Sequence, residues 1–260
     1  MSKLALITGA SSGIGKELAK IHAQKKGDLI IVARSEGKLN QLKEQLEQQH
    51  QIQVTVIAKD LSTENGPREL YEEVKAKGLE VDYLINNAGF GGVGKFHERD
   101  WEKDRSMIQL NVVALAALTH FFLPDFVKRN SGKILNVSST ASLMAGPMQA
   151  VYFATKAFVT SFSNAVAEEL HDTNVTVTAL LPGATATDFG EVSGMEDTEL
   201  FKNPFPPSEV AKDGYQAMIE GKLEVLSGLT MAQKAMMAMI PVTPKKMLLT
   251  QVRKMQEPNK

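Results

Sequence analysis

Cysteine is absent from this chain of 260 residues, and histidine is sparse. Without cysteine the protein has no disulfide bridge, thiolate metal site or cysteine nucleophile, and this composition is typical of a reducing compartment. The histidines lie too far apart in sequence to form a local pair of metal ligands. We therefore expect no metal centre. The five histidines are His22, His50, His97, His120 and His171.

Long apolar runs and an excess of one charge are also missing. No stretch reaches the roughly 18 consecutive apolar residues of a membrane span, and the apolar run near Met1 is too brief for a signal peptide. Lys and Arg total 29 against 30 Asp and Glu, so the net charge of -1 offers nucleic acid no attractive field. We expect a cytoplasmic protein with no membrane span and no nucleic-acid partner.

Apolar runs rich in Ile, Val and Leu alternate with stretches of helical period, which indicates successive βαβ units. Several runs, such as LIIVA, are apolar throughout, as in parallel strands that are covered on both faces. The pattern predicts an α/β fold with a doubly wound, mostly parallel, seven-stranded sheet. The predicted strands are residues 4–8, 29–33, 54–58, 83–86, 133–138, 175–181 and 223–226.

Helices are predicted over residues 15–26, 38–49 and 152–170. We assign residues 1–227 to one domain and residues 228–260 to a C-terminal helical extension that packs on it. The glycines and prolines of residues 189–207 interrupt the pattern and indicate a mobile loop or lid.

The first predicted strand is followed at once by TGASSGIG, residues 8–15, and then by a helical pattern. Glycines at positions 9, 13 and 15 allow a tight turn and close approach to a pyrophosphate, and the helix N-terminus supplies N–H groups. The context predicts a dinucleotide-binding loop. Its candidate binding residues are Gly9, Ser11, Ser12, Gly13, Ile14 and Gly15.

Residues 9–13, GASSG, also match the nucleophile elbow of α/β-hydrolases, with Ser11 as nucleophile. A hydrolase of this kind needs several strands before the elbow and a histidine late in the chain. Here one predicted strand precedes it, and no histidine follows His171. We keep the hydrolase as the weaker alternative.

Arg34 ends the second predicted strand, where an acidic residue would bind the ribose 2′-hydroxyl of NAD. An arginine there suits the 2′-phosphate of NADP instead. Arg34 and Lys38 could also be plain surface charges, and Glu36 lies between them in sequence. We expect NADP, with NAD as the less favoured cofactor.

Tyr152 and Lys156 stand four residues apart, so a helix presents them on one face. A phenol with a pKa of about 10 is a poor acid at neutral pH, and a nearby ammonium lowers that pKa. The pair is a candidate general acid, with Lys156 expected to lower the pKa of Tyr152.

Three motifs together, TGxxxGxG, NNAG at residues 86–89 and YxxxK at residues 152–156, resemble the short-chain dehydrogenase/reductase superfamily. The resemblance extends from residue 4 to about residue 226 and implies a Rossmann-type sheet. Further matches are Asp60 and Leu61 after the third strand, Asn111 in IQLNVVAL, Ser139 thirteen residues before Tyr152, and PGATAT at residues 182–187.

The resemblance implies a catalytic set of Ser139, Tyr152, Lys156 and Asn111. Tyr152 would protonate a substrate carbonyl oxygen that Ser139 holds, and Lys156 would hold the nicotinamide ribose. Asn111 would shape its helix for a water relay, while Ser138 and Ser142 compete with Ser139 by position. The implied cofactor-binding residues outside the glycine loop are Arg34, Asp60, Leu61, Asn87, Ala88, Gly89, Tyr152, Lys156, Pro182, Gly183, Thr185 and Thr187.

Simpler roles exist for several of these residues. Asp60 could cap a helix that begins near Ser62, Asn86 and Asn87 could be turn residues, and Asn111 could be a tolerated polar residue. Many NADP-preferring relatives carry a basic residue in the glycine loop, where this chain has serines. A redox-sensing or scaffolding NADP-binding module without turnover is the alternative function.

Substrate contacts are expected from the loops at residues 90–97, 140–149 and 189–207, because α/β sheets bind ligands at the carboxyl ends of their strands. Their apolar side chains favour an apolar small-molecule carbonyl or alcohol. These side chains are Phe90, Phe96, Leu143, Met144, Met148, Met195, Phe201 and Phe205.

Half of the 12 methionines lie beyond Gly228, in a tail that is also basic. It could cover the pocket, pack on a partner subunit or lie on an anionic membrane surface. Relatives commonly form homodimers or homotetramers through helices that correspond to residues 100–129 and 152–170, so a homo-oligomer is expected. The tail carries Lys234, Lys245, Lys246, Arg253, Lys254 and Lys260 against Glu257.

Overall fold

A seven-stranded parallel sheet forms the centre of the computed structural model, which describes residues 2–195, 198 and 202–256. The strand order is β3-β2-β1-β4-β5-β6-β7, so the winding direction reverses between β1 and β4. The predicted doubly wound, Rossmann-type sheet is confirmed. The strands are β1 (Leu4–Thr8), β2 (Asp28–Ala33), β3 (Val54–Ala58), β4 (Tyr83–Asn86), β5 (Gly132–Val137), β6 (Val175–Pro182) and β7 (Glu224–Ser227).

Successive residues of the central strands enter two different hydrophobic cores, because side chains alternate between the faces of a sheet. Ile7 and Ile31 belong to one core, whereas Leu6 and Ile30 belong to the other. All four are fully buried, and each buried side chain of this size stabilises the fold by about 1.5–3 kcal/mol. Burial on both faces explains why the strand sequences are apolar throughout.

Two layers of helices cover the sheet. The first core includes buried residues of α1 (Gly13–Gln24), α2 (Glu36–His50) and α8 (Pro207–Glu220). The second core includes α3 (Gly66–Ala76), α5 (Leu115–Lys128) and α6 (Ala150–Glu169). The arrangement is a three-layer sandwich with the carboxyl ends of all strands on one edge.

Helix boundaries differ by one or two residues from those that the sequence predicts. Helix α1 begins at Gly13, directly after Ser12, and therefore takes in the last glycines of the loop. Helix α6 begins at Ala150, because the backbone turns into it at Gln149. The observed starts of α1 and α6 therefore lie two residues, or less than one helical turn, before the predicted ones.

The segment predicted as a loop contains short helical structure. Helix α7 (Phe189–Ser193) ends at Gly194, whose φ of 72° lies in the left-handed region that favours glycine. Helix α8 starts at Pro207, where the missing N–H of proline costs nothing. The prediction of a continuous loop was wrong at both ends, and residues 196, 197 and 199–201 lie outside the described part.

The tail folds into two helices, α9 (Met231–Met239) and α10 (Lys245–Gln256). Thr230 and Gln233 form a reciprocal capping box that fixes the start of α9. Val252 of α10 is buried in a cluster with Met107, Tyr152 and Phe153. The C-terminal helices therefore contact the same elements that carry the predicted catalytic tyrosine.

A continuous helical segment, Trp101–Lys128, is long and apolar enough to cross a membrane by length and composition. Polar residues such as Asn111 and His120 interrupt it, so it contains no run of 18 consecutive apolar residues, as the sequence predicts. The segment nevertheless packs against α3, β4 and β5, and it supplies Phe122 and Phe126 to the core. Its apolar side chains therefore contribute to the core of the folded domain.

Candidate active site

A cavity of about 1260 Å³ runs along the carboxyl edge of the sheet. It extends from the glycine loop after β1, past the ends of β4, β5 and β6, to the C-terminal helices. Such an edge is where doubly wound sheets bind ligands. Every predicted cofactor-binding residue lines this cavity except Gly15, and the catalytic candidates Ser139, Tyr152 and Lys156 line it as well.

The glycine loop has the backbone that its sequence predicts. Gly9 and Gly13 have φ angles of 66° and 53°, which residues with a Cβ rarely adopt. Gly15 does not line the cavity, because it packs against the loop: a Cβ there would lie 2.3 Å from the carbonyl oxygen of Gly9. Gly15 thus lets α1 approach the loop and aim its N-terminal N–H groups at the cavity.

Hydrogen bonds join the ends of β1 and β4. Asn87 Nδ2 donates to the carbonyl oxygens of Thr8, at 2.9 Å, and Gly9, at 3.2 Å. In return, Thr8 Oγ1 accepts from the backbone N–H groups of Asn87 and Ala88, each at 3.0 Å. The interpretation of Asn87 as a simple turn residue is wrong, since its side chain holds the glycine loop.

Asn86 has a different role from its neighbour. It is buried in the core, where its Nδ2 donates to Asn136 Oδ1 at 2.9 Å and to Thr119 Oγ1 at 3.2 Å. These bonds connect β4 with β5 and α5. Asn86 therefore stabilises the sheet, and the turn interpretation is wrong for it too.

Arg34, Ser35 and Lys38 line one end of the cavity together with Asp60. Burial raises the pKa of Asp60, but hydrogen bonds from Ser62 and the charge of Arg34 outweigh it, so the pKa lies below its ordinary value. Asp60 does not cap the next helix, because α3 begins only at Gly66. This end is positively charged apart from Asp60, and Glu36 is not among the lining residues.

Tyr152 and Lys156 lie one turn apart on α6, and both are buried. Lys156 Nζ lies 5.9 Å from the Tyr152 ring centre and donates to the carbonyl oxygen of Val137 at 2.9 Å. Burial raises the pKa of Tyr152 to about 12, although a hydrogen bond with Ser139 lowers it in part. Burial also lowers the pKa of Lys156 to about 8.

The expected lowering of the Tyr152 pKa by Lys156 is therefore wrong for this structure. Loss of water disfavours the phenolate, and the cause that opposes it is the hydrogen bond with Ser139 rather than the charge of Lys156. Tyr152 remains a protonated phenol at neutral pH, whereas Lys156 is poised to titrate near physiological pH. The pair can store a proton on Tyr152 and hold a positive charge nearby.

The structure distinguishes the three competing serines. Ser139 accepts a hydrogen bond from the Ala141 N–H, donates to the Pro182 carbonyl oxygen at 3.5 Å, and acts on Tyr152 by lowering the pKa of its hydroxyl. Ser138 is occupied elsewhere, with its Oγ bonded to the Lys156 carbonyl oxygen and to Thr160. Ser142 does not line the cavity. Ser139 is thus the serine that faces the same space as the Tyr152 hydroxyl.

Asn111 lies in a π-helical turn, Gln109–Ala114, that separates α4 (Trp101–Ile108) from α5. Its Oδ1 accepts from the Phe90 N–H at 3.1 Å, and its Nδ2 donates to the Phe90 carbonyl oxygen at 2.9 Å and to Thr155 Oγ1 at 3.1 Å. It does not line the cavity. Asn111 connects the loop after β4 with the helix of Tyr152, so it is more than a tolerated polar residue.

The substrate end of the cavity contains only part of the predicted apolar set. Phe90, Met144, Met195 and Phe205 line it, whereas Leu143, Met148 and the exposed Phe96 do not, and Phe201 lies outside the described residues. The sequence analysis did not identify individual residues of the C-terminal helices as lining. These include Met236, Met237, Met239, Ile240, Leu248 and Val252.

A buried pair of glutamines joins α10 to the start of α6, and sequence reasoning missed it. Gln149 donates from Nε2 to Gln256 Oε1, and both side chains are buried where they line the cavity. Gln149 Oε1 is buried without a hydrogen-bond partner. Two glutamines 107 residues apart give no sequence signal, because only the fold brings them together.

The hydrolase alternative has no support in the geometry. Among the described residues, no histidine lines the cavity with Ser11. His22 is buried on α1, where its ring nitrogens pair with the Tyr215 hydroxyl at 2.9 Å and the Lys3 carbonyl oxygen at 2.8 Å. No group of three or more potential metal-binding side chains occurs in the described ranges either.

The glycine loop, the Tyr152–Lys156 helix and the shared cavity define a dinucleotide-dependent oxidoreductase. A family model, described as short chain dehydrogenase, matches residues 3–197. The chain therefore belongs to the short-chain dehydrogenase/reductase family.

Curated relatives cover most of the chain. The human very-long-chain 3-oxoacyl-CoA reductase is 28% identical over 233 residues, which are 86% of this chain and 72% of the relative. The NADP-dependent 3-hydroxy acid dehydrogenase of Schizosaccharomyces pombe is 33% identical over 218 residues, or 81% of this chain and 84% of the relative.

Solved structures agree with the fold. A short-chain dehydrogenase from Sphingobium yanoikuyae in complex with NADPH superposes with a TM-score of 0.83, at 28% identity and with 99% of each chain covered. A short-chain dehydrogenase/reductase from Burkholderia phymatum in complex with NAD has a TM-score of 0.81. At 22% identity, that second likeness shows the fold alone.

Proposed function

We propose that the protein is an NADP(H)-dependent oxidoreductase that moves hydride between nicotinamide and the carbonyl or alcohol carbon of an apolar small molecule. The observation that carries the proposal is one cavity that begins at the glycine loop and ends at Ser139, Tyr152 and Lys156. Turnover without these three residues would need another proton donor. Their presence favours an enzyme over a sensing or scaffolding module.

The described residues fit a dinucleotide. The loop at Gly9 and Gly13, with the N-terminus of α1, would hold the pyrophosphate, and Asp60 with Leu61 would border the adenine. Arg34 and Lys38 supply positive charge for a 2′-phosphate. The yeast relative is named NADP-dependent, and the Sphingobium structure contains NADPH, which supports the same preference. When bound, the nicotinamide supplies or accepts the hydride.

Three side chains divide the proton chemistry. Tyr152, which its raised pKa keeps protonated, would donate its hydroxyl proton to the carbonyl oxygen in the reductive direction. Ser139 would donate a hydrogen bond to the same oxygen. Lys156 has three N–H donors, of which one binds the Val137 carbonyl oxygen, so the others can hold ribose hydroxyls.

The substrate class follows from the lining of the far end. Phe90, Met144, Phe205 and the methionines of α9 offer apolar surface, and thioether side chains adapt to irregular ligands. Relatives are named for 3-oxoacyl-CoA and 3-hydroxy acid substrates. An apolar ketone or its alcohol agrees with both observations.

Replacement of the Tyr152 hydroxyl tests the proposal directly. In Tyr152→Phe, oxidation of NADPH with ketones, aldehydes, steroids or acyl thioesters should fall at least about 100-fold, because the proton donor is lost. NADPH affinity, measured by fluorescence titration, should stay within about twofold, since the ring and its packing remain. Undiminished turnover in the variant would contradict the assigned role. Wild-type protein that binds NADPH but turns over nothing would favour the sensing module.

Arg34 should decide cofactor preference. In Arg34→Ala, NADPH affinity should fall about 10–100-fold, because an arginine–phosphate contact is lost, whereas NADH affinity should hardly change. Titration of both cofactors measures the ratio. Arg68→Ala, which removes an arginine outside the cavity lining, is the matched control. An unchanged NADPH-to-NADH ratio would rule out Arg34 as the specificity residue.

NADPH affinity should depend on pH through Lys156. Because the pKa of free Lys156 is lowered to about 8, its charge is present below that pH and is lost as the pH rises through it. The dissociation constant for NADPH should therefore increase above about pH 8, by up to about tenfold per pH unit. Tyr152→Phe should show the same pH profile, because the tyrosine hydroxyl that it removes has a pKa of about 12 and does not titrate in this pH range. A constant affinity from pH 7 to about 9.5 would contradict the assignment to Lys156.

We also propose a homodimer or homotetramer that uses the helical surfaces at residues 100–129 and 152–170. Val113 and Phe158 are large apolar side chains exposed there, and Phe158 stacks on Phe162. Light scattering at micromolar concentration should show an assembly that Phe158→Glu weakens and Leu223→Glu, an exposed control, does not. A monomeric wild-type protein would contradict the proposal.

A further inference from the structure

Exposed apolar side chains concentrate on the C-terminal extension, residues 228–256. Met231 is 80% exposed, Val242 71% and Met239 58%, and Met247 is exposed to a similar degree. Single exposed apolar residues are normal, but a group of this kind on one segment marks an interaction surface. None of the residues of α9 is buried.

Helix α9 is apolar on two opposite sides. Met236, Met237, Met239 and Ile240 line the cavity, together with the polar Gln233. The opposite stripe consists of Met231, Ala235, Ala238 and Val242, which recur at spacings of four, three and four residues along α9 and the turn after it, and all four are exposed. A helix that is apolar on both sides belongs in apolar surroundings on both sides. The inner side of α9 faces the cavity, so the outer side needs a separate apolar environment.

The charges of the extension are all of one sign. Residues 228–256 contain five basic side chains and no carboxylate, although the whole chain has a net charge of -1. Lys245 and Lys246 directly precede the exposed Met247, and Arg253 with Lys254 follows on the exposed side of α10. The extension is thus a positive patch with protruding methionines on a protein that is otherwise negative.

We propose that the outer surface of the extension docks on an anionic lipid bilayer. Met231 and Val242 would insert among the acyl chains near the headgroups, and the lysines of α10 would contact the anionic headgroups. Substrate dissolved in the bilayer would then enter the cavity past the inner side of α9. This entry route depends on the proposed oxidoreductase function, whereas the docking itself does not.

The positive charge of the extension favours an anionic lipid over a second copy of the chain as the binding partner. Two extensions facing each other would bring ten basic side chains together, and like charges at a contact repel. A neutral apolar groove on another protein would leave the lysines without a role. An anionic bilayer matches the apolar stripe and the positive charge at the same time.

Vesicle sedimentation tests the proposal with the full chain. The protein is mixed with vesicles of phosphatidylcholine alone or with about 30% phosphatidylserine, at low and at physiological salt. Wild-type protein should sediment with the anionic vesicles and far less with the neutral ones. Both Met231→Gln/Val242→Gln and Lys245→Glu/Lys246→Glu should lose about tenfold or more of the partition coefficient.

Matched controls come from other exposed positions. Leu223→Gln and Lys128→Glu remove an exposed apolar side chain and an exposed positive charge elsewhere, and both should bind like wild type. Tyr152→Phe should also bind like wild type, so failure of catalysis and failure of docking are separate results. NADPH affinity in each variant verifies that the fold is intact.

Three results would overturn the proposal. Wild-type protein that stays in solution with both kinds of vesicle excludes docking. Equal binding to neutral vesicles, unchanged in the lysine variant, excludes recognition of anionic lipid. Self-association that Met231→Gln/Val242→Gln abolishes, without any vesicle binding, would assign the surface to a second copy of the chain.

Discussion

The site depends on the hydrogen bonds that join the ends of β1 and β4, where the winding of the sheet reverses. Thr8 and Asn87 bind each other's segments through side chain and backbone, and this pairing holds the glycine loop against Asn87 and Ala88, directly before Gly89. A Cβ at Gly89 would lie 3.0 Å from Asn111 Oδ1 and 3.5 Å from Lys156 Nζ. One short chain of contacts therefore places two parts of the site. These are the loop that would bind the pyrophosphate and the side chain of Lys156.

Burial shifts the pKa values of the two catalytic candidates in opposite directions. It raises the pKa of Tyr152 to about 12 and lowers that of Lys156 to about 8, so the phenol keeps its proton while the amine is only just charged. Lys156 Nζ donates to the Val137 carbonyl oxygen, and among the described residues it forms no ion pair with a carboxylate. Its charge is thus not neutralised in advance, and it is available to a bound anionic cofactor or to a phenolate that forms during turnover.

The sequence predicts the sheet, the glycine loop and the YxxxK helix because each of these has a local pattern: apolar runs, glycine spacing or helical spacing. It does not predict the direction of the Tyr152 pKa, because that direction depends on burial by segments far away in the chain. The contact between Gln149 and Gln256 is likewise invisible in the sequence. Asn111 is an intermediate case, since the motif indicates its importance while the π-helical turn and the bonds to Phe90 appear only in three dimensions.

The same burial that tunes Tyr152 requires a cover over the cavity, and the C-terminal extension is that cover. Val252 packs beside Tyr152, and Gln256 bonds to Gln149 just before the catalytic helix, so α10 is anchored to the site. Helix α9, in contrast, has no buried residue. Segments with few buried contacts open at the lowest free-energy cost. This difference agrees with the proposed entry of substrate past α9, while α10 packs beside Tyr152, the proposed proton donor.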